Sequence, residues 1–298
     1  SAGFADGLRP IWPVNGCPLV SILIPTRDRL DLLRRTVEGV TTKTSYRNIE
    51  VLIVDNGSVA EETLDWFKEI CAKDPRVRVL KMPGPFNFSD LNNRAARDAR
   101  GDVLLFLNND IEVIEPGWLD EMLGLVQRPG TGCVGAKLSF PDGILQHLGV
   151  CEDHRGIISH IRYRAPRDAK GPFNRFRLRQ EVQSVTGACL MIRRELFFEV
   201  GAFDDAAFRV NYNDIDLCYR VRQAGFSVIW TPFAHLLHHE SATRGSDAEA
   251  ANNPRLWVER MLMADRWHDR FPENPWDHPA LETDYFSGTR LPQRKFGL

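Results

Sequence analysis

Short apolar runs that break off at polar turns, with stretches of helical period between them, limit what this 298-residue chain can fold into. The runs at 20–24, 51–54, 77–80 and 103–107 have the length and composition of fully buried strands. Between them, residues 29–40, 61–72 and 89–99 repeat at helical spacing, with Leu30, Leu33 and Val37 on one face of the first. Strands and helices alternating in this way predict βαβ units, a mostly parallel sheet, right-handed crossovers and a doubly wound α/β layout. Such a sheet collects its turns outside the strand carboxyl ends, where ligands bind. The turns in question are 26–28, 55–58 and 108–110, and Asp28 and Ser89 are placed to cap the helices that follow them.

The run at 103–113, VLLFLNNDIEV, is the most informative of these, because it sets two amides and a carboxylate, Asn108, Asn109 and Asp110, at the end of a central strand. Oxygen ligands of this kind suit a hard cation that bridges phosphates. Asn and Asp are also ordinary turn residues, so the run alone leaves a polar turn open.

Later in the chain the pattern loosens. Helices are expected at 116–127, 193–200, 214–224 and 254–267, a strand at 134–140, and short strands at 228–230 and 236–237. Residues 1–17 read as an extension, 18–250 as one α/β domain, and 251–298 as a helix and irregular tail packed on that domain. Trp257, Met261 and Trp267 on the late helix are expected to be buried against it. The net charge of −2 gives no support for nucleic-acid binding. No apolar run approaches the roughly 20 residues of a spanning helix. The start lacks both a signal sequence and Met, which suggests an excised module or a tag remnant. The six cysteines form no CxxC pair and read as reduced, buried thiols of a cytoplasmic protein.

Other groups carry chemistry. Asp214 and Asp216 open a helix two positions apart, so one faces a cleft while the other faces the helix amides. His235, His238, His239 and Glu240 follow a short strand, and an imidazole there can complete a cation site begun by Asp110. Between 155 and 179 stand eight Lys or Arg and one acid, Asp168, a stretch read mainly as a solvated loop. Neither GxGxxG nor GxxxxGK[ST] occurs, so any nucleotide must be held by side chains and strand-end turns.

The blocks VSILIPTRDR, IEVLIVDNGS, FNFSDLNN, LLFLNNDIEV, TGACLMIRR, GAFDD and NDIDLCYRVRQAGF with HLLHHES, in this order and spacing, resemble glycosyltransferase family 2. The likeness runs from Pro18 to Gly245 and is nearest to bacterial modules that build O-antigen and rhamnose-containing surface polysaccharides. It implies a GT-A fold, a Rossmann-like sheet with helices on both faces and a C-terminal helical extension. It also implies inverting transfer from a nucleotide-sugar, dTDP-rhamnose or a UDP-sugar, to a saccharide or lipid-linked saccharide. Residue by residue, it implies that Pro25, Thr26 and Asp28 line the nucleotide pocket. Asp55 would receive the base, with Asn56, Ser58, Asn87, Asn93 and Asn109 nearby, and Arg244 would reach the diphosphate. Asp110, Asn108 and His238, with His239 as the alternative, would hold Mg²⁺ or Mn²⁺, and Asp214 would be the catalytic base. The resemblance further implies a module of a larger protein, working at the inner face of the cytoplasmic membrane. Gln146, His147 and the 155–179 loop are candidates for docking the acceptor.

Asn108 and Asn213 stand where many members have acids, which keeps a non-catalytic binding module with a degenerate site as the alternative. A nucleotidyltransferase would call for a glycine-rich loop after the first strand, and IPTRDRLD has no glycine.

Overall fold

The computed structural model describes residues 9–152, 158–161, 163–239 and 253–267, and the backbone of 282–284 and 288–290. A ten-stranded sheet runs through the molecule. Its first part follows the expected pattern: β1 (Val20–Thr26), α1 (Leu30–Glu38), β2 (Ile49–Asp55), α2 (Glu61–Lys73), β3 (Val77–Lys81), α3 (Phe88–Asp98) and β4 (Val103–Leu107). The four strands lie parallel in the order β3-β2-β1-β4. The chain steps outward from β1 to β3 and then returns to the other side of β1. A switch point therefore opens between the carboxyl ends of β1 and β4.

Beyond β4 the sheet becomes mixed. β5 (Ile111–Val113), α4 (Trp118–Val126), β6 (Thr131–Ser139), β7 (Leu145–His147), β8 (Val150–Glu152) and β9 (Ile158–His160) come next. They are followed by β10 (Gln180–Glu181), β11 (Cys189–Arg193), α5 (Arg194–Glu199), α6 (Asn213–Gln223), β12 (Ser227–His238) and α7 (Pro254–Trp267). β11 inserts antiparallel between β4 and β6, β12 runs parallel to β6, and β8 pairs with β9 in a separate ribbon. β13 (Glu282–Asp284) and β14 (Gly288–Arg290) form a further hairpin.

Alternation along the central strands builds two cores. Ile22, Ile24, Val51 and Ile53 face α1, α2 and α4, whereas Leu23, Leu52, Val54 and Phe106 face α3, α5 and α6. Each such side chain contributes about 1.5–3 kcal/mol on leaving water. A third cluster forms where Met263 and Trp267 of α7 meet Phe208, Ile215 and Tyr219.

Several local expectations are corrected. Asp28 does not cap α1. Asp28 and Arg29 both have positive φ, and Asp28 Oδ1 accepts the N–H groups of Val59 and Ala60 at 2.9 Å, tying the β1 turn to the start of α2. The cap of α3 is Asn87, which accepts Asp90 N–H at 3.0 Å; Ser89 bonds Phe208 O instead. The strands expected at 228–230 and 236–237 are one strand, β12, with a register shift between Thr231 and His235. Trp267 is buried, but Trp257 and Met261 are 53% and 70% exposed. Cys17 is exposed, whereas Cys133, Cys151, Cys189 and Cys218 are buried thiols. The basic stretch is partly structural: Arg179 reaches the buried Glu121 at 2.6 and 2.7 Å. Among the described residues, no helix is long and apolar enough to cross a membrane.

Candidate functional site

A cavity of about 580 Å³ opens at the switch point, within the usual range for small-molecule sites. Thr26 lines it from the end of β1, and Asn108, Asn109 and Asp110 from the end of β4. The two strand ends are linked, since Asn109 Nδ2 donates to Thr26 Oγ1 at 3.0 Å. From below, Thr36 of α1 donates its hydroxyl to the carbonyls of Asn109 and Ile111 at 2.9 and 2.8 Å, which fixes the loop between β4 and β5.

His238 arrives from the far end of the chain. β12 pairs antiparallel with β5, placing His238 opposite Ile111 and so beside Asp110. His238 Nε2 lies 3.0 Å from Asp110 Oδ1 and 3.2 Å from Asn108 Nδ2, and both His238 and Asp110 are 5% exposed. On the other edge of the ring, Nδ1 lies 2.7 Å from Gln146 Oε1. With the proton on Nδ1, the amide oxygen accepts it and the Nε2 lone pair is turned to Asp110, the arrangement of a metal-binding imidazole. Among the described residues no three His, Cys, Asp or Glu cluster as a metal site. The set present, a carboxylate, an imidazole and the invertible amide of Asn108, fits a divalent cation that draws its other ligands from a diphosphate and water. His239 is turned elsewhere, its ring 3.0 Å from Glu112 Oε2 and 3.1 Å from an Arg35 nitrogen.

A second wall is the start of α6 with Thr186 and Gly187, joined to the β4 end where Ala188 O accepts Asn108 N–H at 3.0 Å. Asp214 Oδ2 accepts Gly187 N–H at 2.7 Å and Oδ1 accepts Ile215 N–H at 2.9 Å, so the carboxylate is oriented at the cavity. Asp216 points the other way. It is fully buried and accepts from Arg220, Arg266 and the Trp267 indole. Asn213 is also structural, its amide donating to Ser89 Oγ at 3.0 Å while its oxygen accepts Asp214 N–H.

Of the residues read from sequence, Pro25, Thr26, Asn108, Asn109, Asp110, Asp214 and His238 come together around the cavity. Asp28, Asp55, Asn56 and Ser58 form a turn network beside it. Ser58 Oγ accepts Asp28 N–H, Asp55 Oδ1 accepts Ser58 N–H, both at 2.8 Å, and Asn56 Nδ2 donates to Met82 O at 3.0 Å. Asn87 and Asn93 brace the loop after α5: Asn93 exchanges hydrogen bonds with the backbone of Phe203, and Asn87 donates to Asp205 O. Arg244, Glu240 and Ser241 lie outside the described residues. Gln146 and His147 are buried at 3% and 0%, too deep to dock an acceptor themselves. His147 is held neutral, its pKa well below the ordinary value because of burial and the nearby His160 and His238.

Phe86, Phe88, Thr186 and Gly187 line the cavity without having been singled out from sequence, whereas Arg27 belongs to the expected 26–28 turn, and Ile158, Ser159 and His160 to the 155–179 stretch named for the acceptor. Sequence reading also missed Glu259, whose buried carboxylate holds the wall before α6. A glycine before an apolar strand, as in TGACLMI, is a faint signal for the Gly187 contact; nothing in the sequence marks Glu259.

The fold and the cavity have counterparts. The chain is similar to the O-antigen biosynthesis protein RfbC of Myxococcus xanthus, with 40% identity over 96% of this chain and 21% of that protein. It is 29% identical to the N-acetylglucosaminyl-diphospho-decaprenol L-rhamnosyltransferase of Mycobacterium tuberculosis, over 74% of this chain and 76% of that one. The chain spans 31% of the length of a protein of Sinorhizobium fredii to which it is 48% identical, and 21% of the Myxococcus protein. In structure it is similar to GalNAc-T7, solved with UDP, GalNAc and Mn²⁺, at a TM-score of 0.67 and 18% identity over 86% of this chain and 49% of that one. That likeness identifies the architecture as GT-A, an α/β fold. The model of glycosyl transferase family 2 matches residues 21–201, more than half of the chain, and the chain belongs to that family.

Proposed function

We propose that this domain transfers a sugar with inversion from a nucleoside diphosphate donor to a saccharide acceptor, in the assembly of a bacterial surface polysaccharide such as O-antigen. The observation that carries the reading is the meeting of these groups in one cavity: Asp110 with His238 at the sheet switch point, and Asp214 at the start of α6.

The donor's nucleotide lies along Pro25, Thr26 and the β2 turn. Asp55 takes the base imide with the carboxylate oxygen that Ser58 does not use. Asp110, His238 and Asn108 hold Mg²⁺ or Mn²⁺, which when bound offsets the charge that builds on the leaving diphosphate. Asp214, oriented by the N–H groups of Gly187 and Ile215, accepts the proton of the attacking acceptor hydroxyl. Attack from the side of Asp214 forms the new glycosidic bond as the bond to the diphosphate breaks, and no enzyme nucleophile intervenes. dTDP-rhamnose is the first donor to try, with UDP-hexoses next; the acceptor is a saccharide, free or lipid-linked. The domain works as a module of a longer protein at the cytoplasmic face of the membrane.

A donor screen by thermal shift, with and without Mn²⁺, tests this reading. A nucleotide that binds only the folded protein raises Tm by mass action. A Mn²⁺-dependent rise with dTDP or UDP sugars, followed by transfer to a glycoside, is the expected result. No rise with any nucleotide in the presence of Mn²⁺ returns the domain to the non-catalytic alternative.

A further inference from the structure

Helix α7 lies outside the segment matched by the family model, yet it reaches into the cavity. Leu256 lines the cavity, and one turn on, Glu259 is 2% exposed. A buried carboxylate needs donors, and this one has a full set. Glu259 Oε1 accepts the backbone N–H groups of Arg209 and Val210 at 2.9 and 3.1 Å. Oε2 accepts the N–H and the side-chain amide of Asn211 at 2.9 and 2.7 Å.

The segment so gripped is part of the site. Val210, Asn211 and Tyr212 line the cavity immediately before Asp214. Tyr212 has φ +62°, a left-handed conformation unfavourable for a bulky residue, and its carbonyl accepts Asp216 N–H in the first turn of α6. From the opposite side Ser89 holds the same segment, its hydroxyl on Phe208 O and its N–H on Arg209 O. The entry to α6 is therefore clamped between α3 and α7. Without the carboxylate, three consecutive backbone N–H groups lose their acceptor, and the turn at Tyr212 loses the restraint that offsets its backbone cost.

We infer that Glu259 is a positioning residue for the transfer reaction, its carboxylate fixing the 209–212 segment so that Asp214 stands where the acceptor hydroxyl is deprotonated. The inference rests on the proposed role of Asp214. It differs from a purely structural role in what it moves: the chemical step, and not the nucleotide, which is held on the other wall.

The test compares Glu259→Gln with Ile70→Ala. Ile70 is buried on α2 in the first apolar cluster, outside the cavity lining and the clamp. For the enzyme acting on the donor and glycoside found in the screen, Glu259→Gln is expected to lower kcat by about 100-fold, the scale of a misplacement near 1 Å. The donor KM and the Mn²⁺-dependent affinity for the nucleotide stay at wild-type values. Amide hydrogen exchange at 209–211 accelerates. Ile70→Ala lowers Tm through a cavity but keeps kcat. If Glu259→Gln does not fold, Glu259→Asp, which keeps the charge one methylene short, takes its place with the same expectations at smaller size. A wild-type kcat in the folded variant overturns the inference, as does an equal fall in kcat for Ile70→Ala. A wild-type domain that transfers no sugar at all removes the transferase reading instead, and the exchange rates at 209–211 still report on the clamp.

Discussion

The two walls of the cavity are built in opposite ways. The wall formed by the ends of β1 and β4 comes from the βαβ part of the chain, which delivers its polar turns to the same rim because the strands are parallel and the crossovers share one hand. The wall formed by Thr186, Gly187, the start of α6 and α7 is assembled from segments far apart in sequence. Gly187 bonds Asp214, and Glu259 bonds residues nearly fifty positions earlier. Local repetition makes a binding surface whose neighbouring turns bond one another, Asn109 to Thr26 and Ser58 to Asp28, so that no single turn carries the whole surface. Long-range assembly makes a surface in which one side chain sets the position of the next, so single substitutions there reach the chemistry.

The comparison predicts that the largest losses of turnover come from the second wall. Asp214→Asn keeps the size of the side chain and removes its basicity. It should lower kcat by about 10²–10⁴-fold, the usual worth of a general base, while dTDP or UDP still binds in a Mn²⁺-dependent way. Measured kcat and nucleotide affinity for the variant check both halves of the statement, and a loss of nucleotide binding would blur the division between walls. Across the cavity the pattern reverses. Asp110→Ala should abolish the Mn²⁺ dependence of nucleotide binding. Gln146→Leu, which removes the acceptor for His238 Nδ1, should weaken Mn²⁺ by about 10–100-fold, as expected for a group that orients a ligand. Titration of Mn²⁺ by electron paramagnetic resonance reads both.

How much of each wall could be read from sequence follows from the same difference. Thr26, Asn108, Asn109 and Asp110 were legible because a strand of apolar residues that stops at amides and acids needs no partner to be recognised. Asp214 was legible as one of a pair, and only the resemblance chose it over Asp216; the structure supplies the physical reason, since Asp216 is consumed by Arg220, Arg266 and Trp267. The choice between His238 and His239 depended on the register of β12 against β5, which a bulge sets and sequence does not show. The resemblance set Asp28, Asn87 and Asn93 along the nucleotide; in the structure Asp28 and Asn87 bond backbone groups, and Asn93 bonds the backbone of Phe203 and Asp205 Oδ2. Glu259 was invisible, since a Glu in an amphipathic helix reads as solvated until the loop it grips is known.

Asp28 sharpens the comparison from the side of the first wall. Its carboxylate accepts two N–H groups at the start of α2, much as a capping residue does. Asp28→Ala should therefore cost about 1 kcal/mol of stability, the usual effect of losing a cap. Chemical denaturation of the variant gives this number, and kcat should stay close to wild type. A fall in kcat of the size expected for Asp214→Asn would mean that substitutions beside the first wall reach the chemistry as directly as those in the second.

The effect that vanishes at neutral pH concerns a partly buried histidine that neither wall uses. His235 sits in β12 with its Nε2 2.9 Å from Ser139 Oγ, and burial, helped by Lys137 and Arg167, lowers its pKa from 6.5 to about 4. Folded protein therefore keeps this imidazole neutral where the unfolded chain protonates it. Between pH 6.5 and about 4 the unfolded state binds more protons, so stability falls as pH falls through that window, by at most about 1.4 kcal/mol per pH unit for this one group. Above pH 6.5 both states are neutral and the contribution is constant. His235→Gln, which retains a polar partner for Ser139, should flatten the decline of Tm between pH 6.5 and 4.5 without changing Mn²⁺ or nucleotide binding at pH 7.5. An unchanged slope would show that His235 reaches protons in the folded state, and that the region of β12 before its bulge is more open than its burial indicates.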